Sequence, residues 1–205
     1  MSGMSGMSGM REQQVTGRQK RSAGVLLGAA TLAMGLIAGS FYIFACAVMP
    51  GLARSSDRAY VEVMRHINEV IQNPVFFASF MGSLLFTAVA AWQLRRTPLR
   101  WWVLAALIVY AAAFVLTAAV NVPLNNDLAD AGDPARIADP GAVRADFEDP
   151  WVAWNIVRAV LCTVAFGLLG RALVLWGVLR RTSGGAAHSA YLDPADPAAG
   201  SSASR

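Results

Sequence analysis

The feature that most constrains this chain is a stretch from Ala23 to Met49 that carries no charge at all. As a helix, at about 1.5 Å per residue, it would be about 40 Å long, more than the ~30 Å hydrocarbon core of a bilayer. It is too long for the apolar part of a signal peptide, and no small-residue cleavage site closes it. Three further apolar stretches follow, at Pro74–Leu94, Trp101–Asn121 and Trp151–Leu179. Each stretch is bounded by helix punctuation. Pro50-Gly51 follows the first, Asn73-Pro74 opens the second, Asn121-Val122-Pro123 closes the third, and Asp149-Pro150 precedes the fourth. Asn and Asp cap helix starts, and proline is tolerated in a first turn. The pattern predicts an all-α fold. It is an integral membrane four-helix bundle, with spans at about 23–49, 74–94, 101–121 and 151–179 inside a domain covering 22–181.

Composition agrees. Charged residues make up 15% of the chain, against about 25% in ordinary soluble domains. The lead, 1–21, opens on the repeat MSGMSGMSGM, and the tail, 182–205, is rich in Ser, Gly, Ala and Pro; both read as disordered. The net charge of +4 does not point to nucleic acid, because no basic stripe is interleaved with aromatics. The basic residues flank the apolar stretches instead. Nine Lys/Arg lie on one side (Arg11, Arg18, Lys20, Arg21, Arg95, Arg96, Arg100, Arg180, Arg181), and five on the other (Arg54, Arg58, Arg65, Arg136, Arg144). Cytoplasmic loops carry the excess, so both termini are expected in the cytoplasm, with the lipid bilayer of the plasma membrane as the main partner.

The first outer loop, Asp57 to Gln72, has helical periodicity. Tyr60, Met64, Ile67 and Ile71 share one face, and Glu62, Arg65, His66 and Glu69 lie elsewhere, which predicts a short amphipathic helix. The second outer loop, Pro123 to Pro150, holds seven acids and reads as loose.

Polar residues gather at the outer end. Asn68 and Asn73 precede the second span, Asn121 and Asn125 follow the third, and Trp151, Trp154, Asn155 and Arg158 open the fourth. At about 100° per residue, Trp151, Asn155, Arg158 and Cys162 fall in one stripe, with Trp154 at its edge. Arg158 lies about 10 Å deeper than Trp151. A charge at that depth costs a few kcal/mol, so it faces the interior or a wet cavity. Two readings stand: an anion or oxyanion binder, or a structural arginine holding Asn side chains and loop carbonyls. Asn73 also reads as a cap, and Asn121 as a helix end. His66 could be a base, but its charged neighbours suit a solvated histidine. Cys46 and Cys162 read as packing residues. No metal set, phosphate loop, nucleophile elbow or nucleotide fingerprint is present in the sequence, and no cofactor is expected.

The ordered strings Met49-Pro50-Gly51-Leu52, Ile67-Asn68, Asn73-Pro74, Asn121-Val122-Pro123-Leu124-Asn125-Asn126 and Trp154-Asn155-x-x-Arg158 resemble the anthrone oxygenase family over about Ala23 to Leu179. The resemblance implies a four-helix membrane protein. Some fungal members are linked to oxidation of polyketide anthrones to anthraquinones. For such a reaction Arg158, with Asn155 or Asn68, would face a developing oxyanion, and Trp151 and Trp154 would stack on a flat polycycle, with Asn73, Asn121 and Asn125 nearby. His66 is the nearby titratable group with a suitable ordinary pKa. The competing readings are a non-enzymatic binder of lipophilic small molecules, a scaffold subunit whose Asn/Arg cluster locks the helices, and, less well matched, a transporter.

Overall fold

A computed structural model describes the backbone over residues 3–192 and side chains over 22–181. The lead 1–21 and tail 182–205, expected to be disordered, lie outside the residues described with side chains. The helices are α1 (Gly3–Ile43), α2 (Met49–Leu52), α3 (Asp57–Val70), α4 (Pro74–Leu94), α5 (Arg100–Leu116), α6 (Val122–Asp130) and α7 (Pro140–Leu192). Single π-helical turns, Phe44–Val48 and Thr117–Asn121, join α1 to α2 and α5 to α6. Four segments are long and apolar enough to cross a membrane: Ser22–Leu52, Pro74–Leu94, Arg100–Asp130 and Pro140–Arg181. The chain is a multi-pass helical membrane protein.

The four long helices form a ring in which α1 and α5 each pack against α4 and α7. The seam between α4 and α5 is the thinnest of the four. Small side chains let the helices approach closely. Ala23, Leu27, Ala30, Met34 and Ile37 on α1 meet Ala159, Cys162, Ala165, Leu169 and Ala172 on α7 in one continuous core. The outward faces stay apolar, as lipid requires: Val25, Leu32, Val160 and Val174 are all exposed. Cys162 is a buried free thiol and Cys46 an exposed one.

The second span runs from Pro74 to Leu94, with the boundaries the sequence predicts. Asn73 caps it, its Oδ1 accepting from Val75 N and Phe76 N at 3.0 Å each. Three other boundaries differ from expectation. Pro50 and Pro123 do not end their helices. Each follows a π turn, and the backbone continues helically to Leu52 and Asp130. A proline ring clashes with the carbonyl four residues back in an α-helix, and a wider π turn relieves that clash. The fourth helix does not start at Asp149-Pro150. The same Asp-Pro signature occurs ten residues earlier, where Asp139 Oδ1 accepts from Ala142 N at 3.0 Å and Pro140 opens α7. Pro150 lies inside the helix. The expected loose acidic loop is therefore largely helix.

These extensions build a cap on one end of the bundle. Its own core comprises Met49, Tyr60, Val61, Met64, Leu128, Phe147 and Trp151. The helix α3 is the predicted amphipathic one, and it packs on α6 and the start of α7. Arg144 fastens the cap. It donates to Glu148 at 2.5 Å, Asp57 at 3.0 Å, the Ser55 carbonyl at 3.2 Å and the Ala53 carbonyl at 3.0 Å. Its guanidinium also lies 4.6 Å from the Tyr60 ring centroid. Arg58 donates to the Pro134 carbonyl at 2.6 Å, and Arg65 to the Gly132 carbonyl. Gly132 has φ +89°, a left-handed conformation that suits glycine.

Candidate functional site

Where cap meets bundle there is a cavity of about 330 Å³. Five elements meet around it. The end of α1 and its π turn supply Ser40, Phe41 and Phe44, α3 supplies Ile67 and Asn68, and α4 supplies Phe76 and Phe80. Thr117, Asn125 and Asn126 come from the α5–α6 rod, and Trp151, Asn155 and Arg158 from α7. The lining is mostly apolar with a few convergent polar groups, the usual make-up of a small-molecule site.

The helical stripe foreseen on α7 is real. Trp151, Asn155, Arg158 and Cys162 are all buried, and the first three line the cavity. Arg158 is 4% exposed. Its Nη2 donates to Asn155 Oδ1 at 3.0 Å. Asn155 Nδ2 in turn donates to the Phe41 carbonyl at 3.2 Å, so Asn155 is held from both ends. The guanidinium lies over the Phe41 ring at 4.3 Å and the Trp151 ring at 5.5 Å. Its Nε has no hydrogen-bond acceptor. Among the described ion pairs, none involves Arg158. A guanidinium keeps its charge at neutral pH, so the cavity holds a cation with neutral company only.

Trp151 is fixed by its Nε1 donating to Asn125 Oδ1 at 2.8 Å, and by the Phe44 and Phe147 rings at 5.9 and 6.0 Å. Opposite, Phe76 and Phe80 stack at 5.7 Å, and Phe80 stacks on Phe114 at 4.9 Å. Tyr110 donates to the Phe80 carbonyl at 2.7 Å and steadies that stack from below. The cavity thus lies among flat rings with a cation at one edge. Asn68 contributes a buried Nδ2 that has no acceptor.

Five of the residues foreseen as functional therefore meet: Arg158, Asn155, Asn68, Trp151 and Asn125. Four do not line the cavity. Trp154 is 40% exposed on the outward side of α7, and His66 is exposed on α3. The stripe calculation already put Trp154 at its edge, and His66 follows the solvated face of its helix. Asn73 is spent on its cap. Asn121 is buried in the π turn with neither side-chain polar atom bonded. Sequence reading missed the cavity's aromatic walls, Phe41, Phe44, Phe76 and Phe80. Inside an apolar span a ring facing a pocket and a ring facing lipid look alike.

Among the described residues, no Asp, Glu, His, Lys, Cys or Tyr lines the cavity. Among the described residues, no three His, Cys, Asp or Glu side chains converge. Compared with known families, the chain matches the model described as anthrone oxygenase over residues 73–168, a stretch that holds α4 to α6 and the pocket half of α7. No curated protein and no solved structure matches.

Proposed function

We propose that this chain, which belongs to the anthrone oxygenase family, binds a lipophilic polycyclic or phenolic ketone as its enolate and promotes the reaction of that enolate with dioxygen without a cofactor. The observation that carries this reading is Arg158, a buried cation with no carboxylate partner, set at the edge of an aromatic cavity. A lone buried charge is costly, and an anionic ligand would offset that cost. An anthrone is a weak carbon acid. A guanidinium beside its carbonyl oxygen favours the enolate, because the charge develops where the donor already points. The Nε of Arg158 and Nδ2 of Asn68 are buried donors that the fold leaves without an acceptor. Asn155 positions Arg158. The rings of Phe41, Trp151, Phe76 and Phe80 suit a flat polycycle.

The electron-rich enolate then reacts directly with dioxygen. The ring methylene loses two hydrogens and gains one oxygen atom, and the second oxygen leaves as water. The anthrone becomes an anthraquinone, and dioxygen is the oxidant. With no titratable acceptor among the described lining residues, the methylene proton passes to water at the cavity's polar rim, where Gln72 and Asn126 are exposed, and the protein's part is to stabilise the anion. That same absence favours a second reading, a membrane binder of lipophilic anions that does not catalyse.

Dioxygen uptake by purified protein supplied with anthrone separates the two. An oxygenase shows uptake above the spontaneous rate, falling about 100-fold or more in Arg158→Ala, the loss typical of a removed oxyanion donor. Anthrone binding without uptake above background leaves the binder. We also place both termini in the cytoplasm and the cap outside the plasma membrane, on the nine-to-five distribution of Lys and Arg. Protease cleavage of the α2–α3 loop in intact cells tests that orientation, and protection of the loop would reverse it.

A further inference from the structure

We infer that the cavity is filled sideways from the bilayer, through a mouth between the start of α4 and α6, so that its ligand is a membrane-dissolved amphiphile and not a water-borne one. This rests on the cavity being a ligand site, as proposed above.

The water-facing end is closed. Helix α3 covers it, with Ile67 and Asn68 forming cavity wall while Tyr60 and Met64 sit fully buried beneath the same helix. Arg58, Arg65 and Arg144 tie this cover to the α6–α7 connection and to α7. Three of the four long segments rise into the cap, but α4 does not. It is 21 residues long, against 31, 31 and 42 for the others. It packs on α1 and α5 and has no comparable contact with α3 or α6. The cap therefore overhangs α4 without closing on it.

Residues that line the cavity and are also exposed mark an opening. Phe77 is 46% exposed and Val122 44% exposed, and both line the cavity. So do Gln72 and Asn126, which are exposed as well. Phe77 comes from the start of α4 and Gln72 from the link just before it, while Val122 and Asn126 come from α6, which makes no contact with α4 comparable to those of α1 and α5. The rim is amphipathic. Gln72 and Asn126 are amides, Phe77 and Val122 are apolar, and beside them Val75 is 77% exposed. A polar edge next to an apolar sill matches the boundary between headgroups and acyl chains. An amphiphile lying at that boundary with its polar end toward the amides can slide in, its rings between Phe77 and Val122, toward Arg158.

Single cysteines at Phe77, Val122 and Gln72, in a Cys46→Ser background and in lipid nanodiscs, test the route. Phe77→Cys and Val122→Cys should label about tenfold or more faster with lipid-soluble pyrenyl maleimide than with a sulfonated maleimide, while Gln72→Cys reacts with both. Pyrene-labelled Phe77→Cys should then slow association of anthracene carboxylate, an oxygen-stable stand-in for the enolate, by about tenfold. Equal labelling of Phe77→Cys by the sulfonated reagent, or unchanged association after labelling, overturns the bilayer route. Arg158→Ala should abolish anthracene carboxylate binding with the labelling pattern intact. Binding that survives in Arg158→Ala counts against the anion site and leaves the mouth standing on its labelling.

Discussion

Two arginines on α7, one in the cap and one in the bundle, live in opposite surroundings. Arg144 has two carboxylates, two carbonyls and a tyrosine ring around it. Arg158 has one neutral amide and two aromatic faces. The first is a nearly finished clamp, with four of its five N–H donors bonded. The second is unfinished, and it borders the cavity. Under the function proposed above, the contrast separates a charge kept for the fold from a charge kept for a ligand. Replacing a buried ion by a well-packed apolar side chain is often neutral or stabilising, while removing one partner of a buried pair is costly.

The sharpest way to break this comparison is to replace each arginine by methionine. Arg158→Met should lower anthrone-dependent dioxygen uptake about 100-fold or more while leaving thermal stability in detergent equal or higher. A large loss of stability would make Arg158 a structural lock. Arg144→Met should do the reverse. It strands Glu148 and Asp57, and should cost about 2 kcal/mol of cap stability, read as faster protease cleavage in the α2–α3 loop. Any uptake lost there should follow the loosened cap and be recovered when Asp57 and Glu148 are neutralised as well.

Next comes pH. Tyr60 is buried against Arg144 in the cap, with its hydroxyl unbonded. Burial, and then the nearby Glu148, raises its pKa above the ordinary 10.0. A raised folded pKa means that the neutral form is the one the fold favours. The stabilisation is complete below pH 10 and declines as pH rises above it. Cap cleavage should therefore accelerate above about pH 10 in the native chain, and Tyr60→Phe should flatten that rise. Among the described residues, the cavity lining has no acid or base apart from Arg158. Uptake should accordingly climb with pH along the substrate's own ionisation, with no bell shape. The smallest effect is expected at His66, exposed and outside the cavity. His66→Ala should change uptake by less than about twofold, and a loss on the scale of Arg158→Met would bring a proton acceptor back into the site.

The sequence alone was enough for four spans, because lipid leaves the backbone few choices and apolar stretches of this length are unmistakable. It was enough for α3 and for the polar stripe on α7, since helical periodicity decides which residues share a face. It also sufficed for the Asn73 cap, whose side chain acts on its own next turn. The lengths of the other helices were not legible. Proline and Asp-Pro punctuation is a local signal, and whether a helix stops there depends on what waits beyond it. Two π turns and a cap with its own core carry the backbone past Pro50 and Pro123, and Asp139 starts α7 before Asp149 can. Tertiary structure alone decided which aromatic rings face a cavity and which face lipid. Both surroundings are apolar, so the hydrophobic effect that selects such residues cannot distinguish them. Only the packing of α4 against α1 and α5, with nothing comparable against α6, makes that choice.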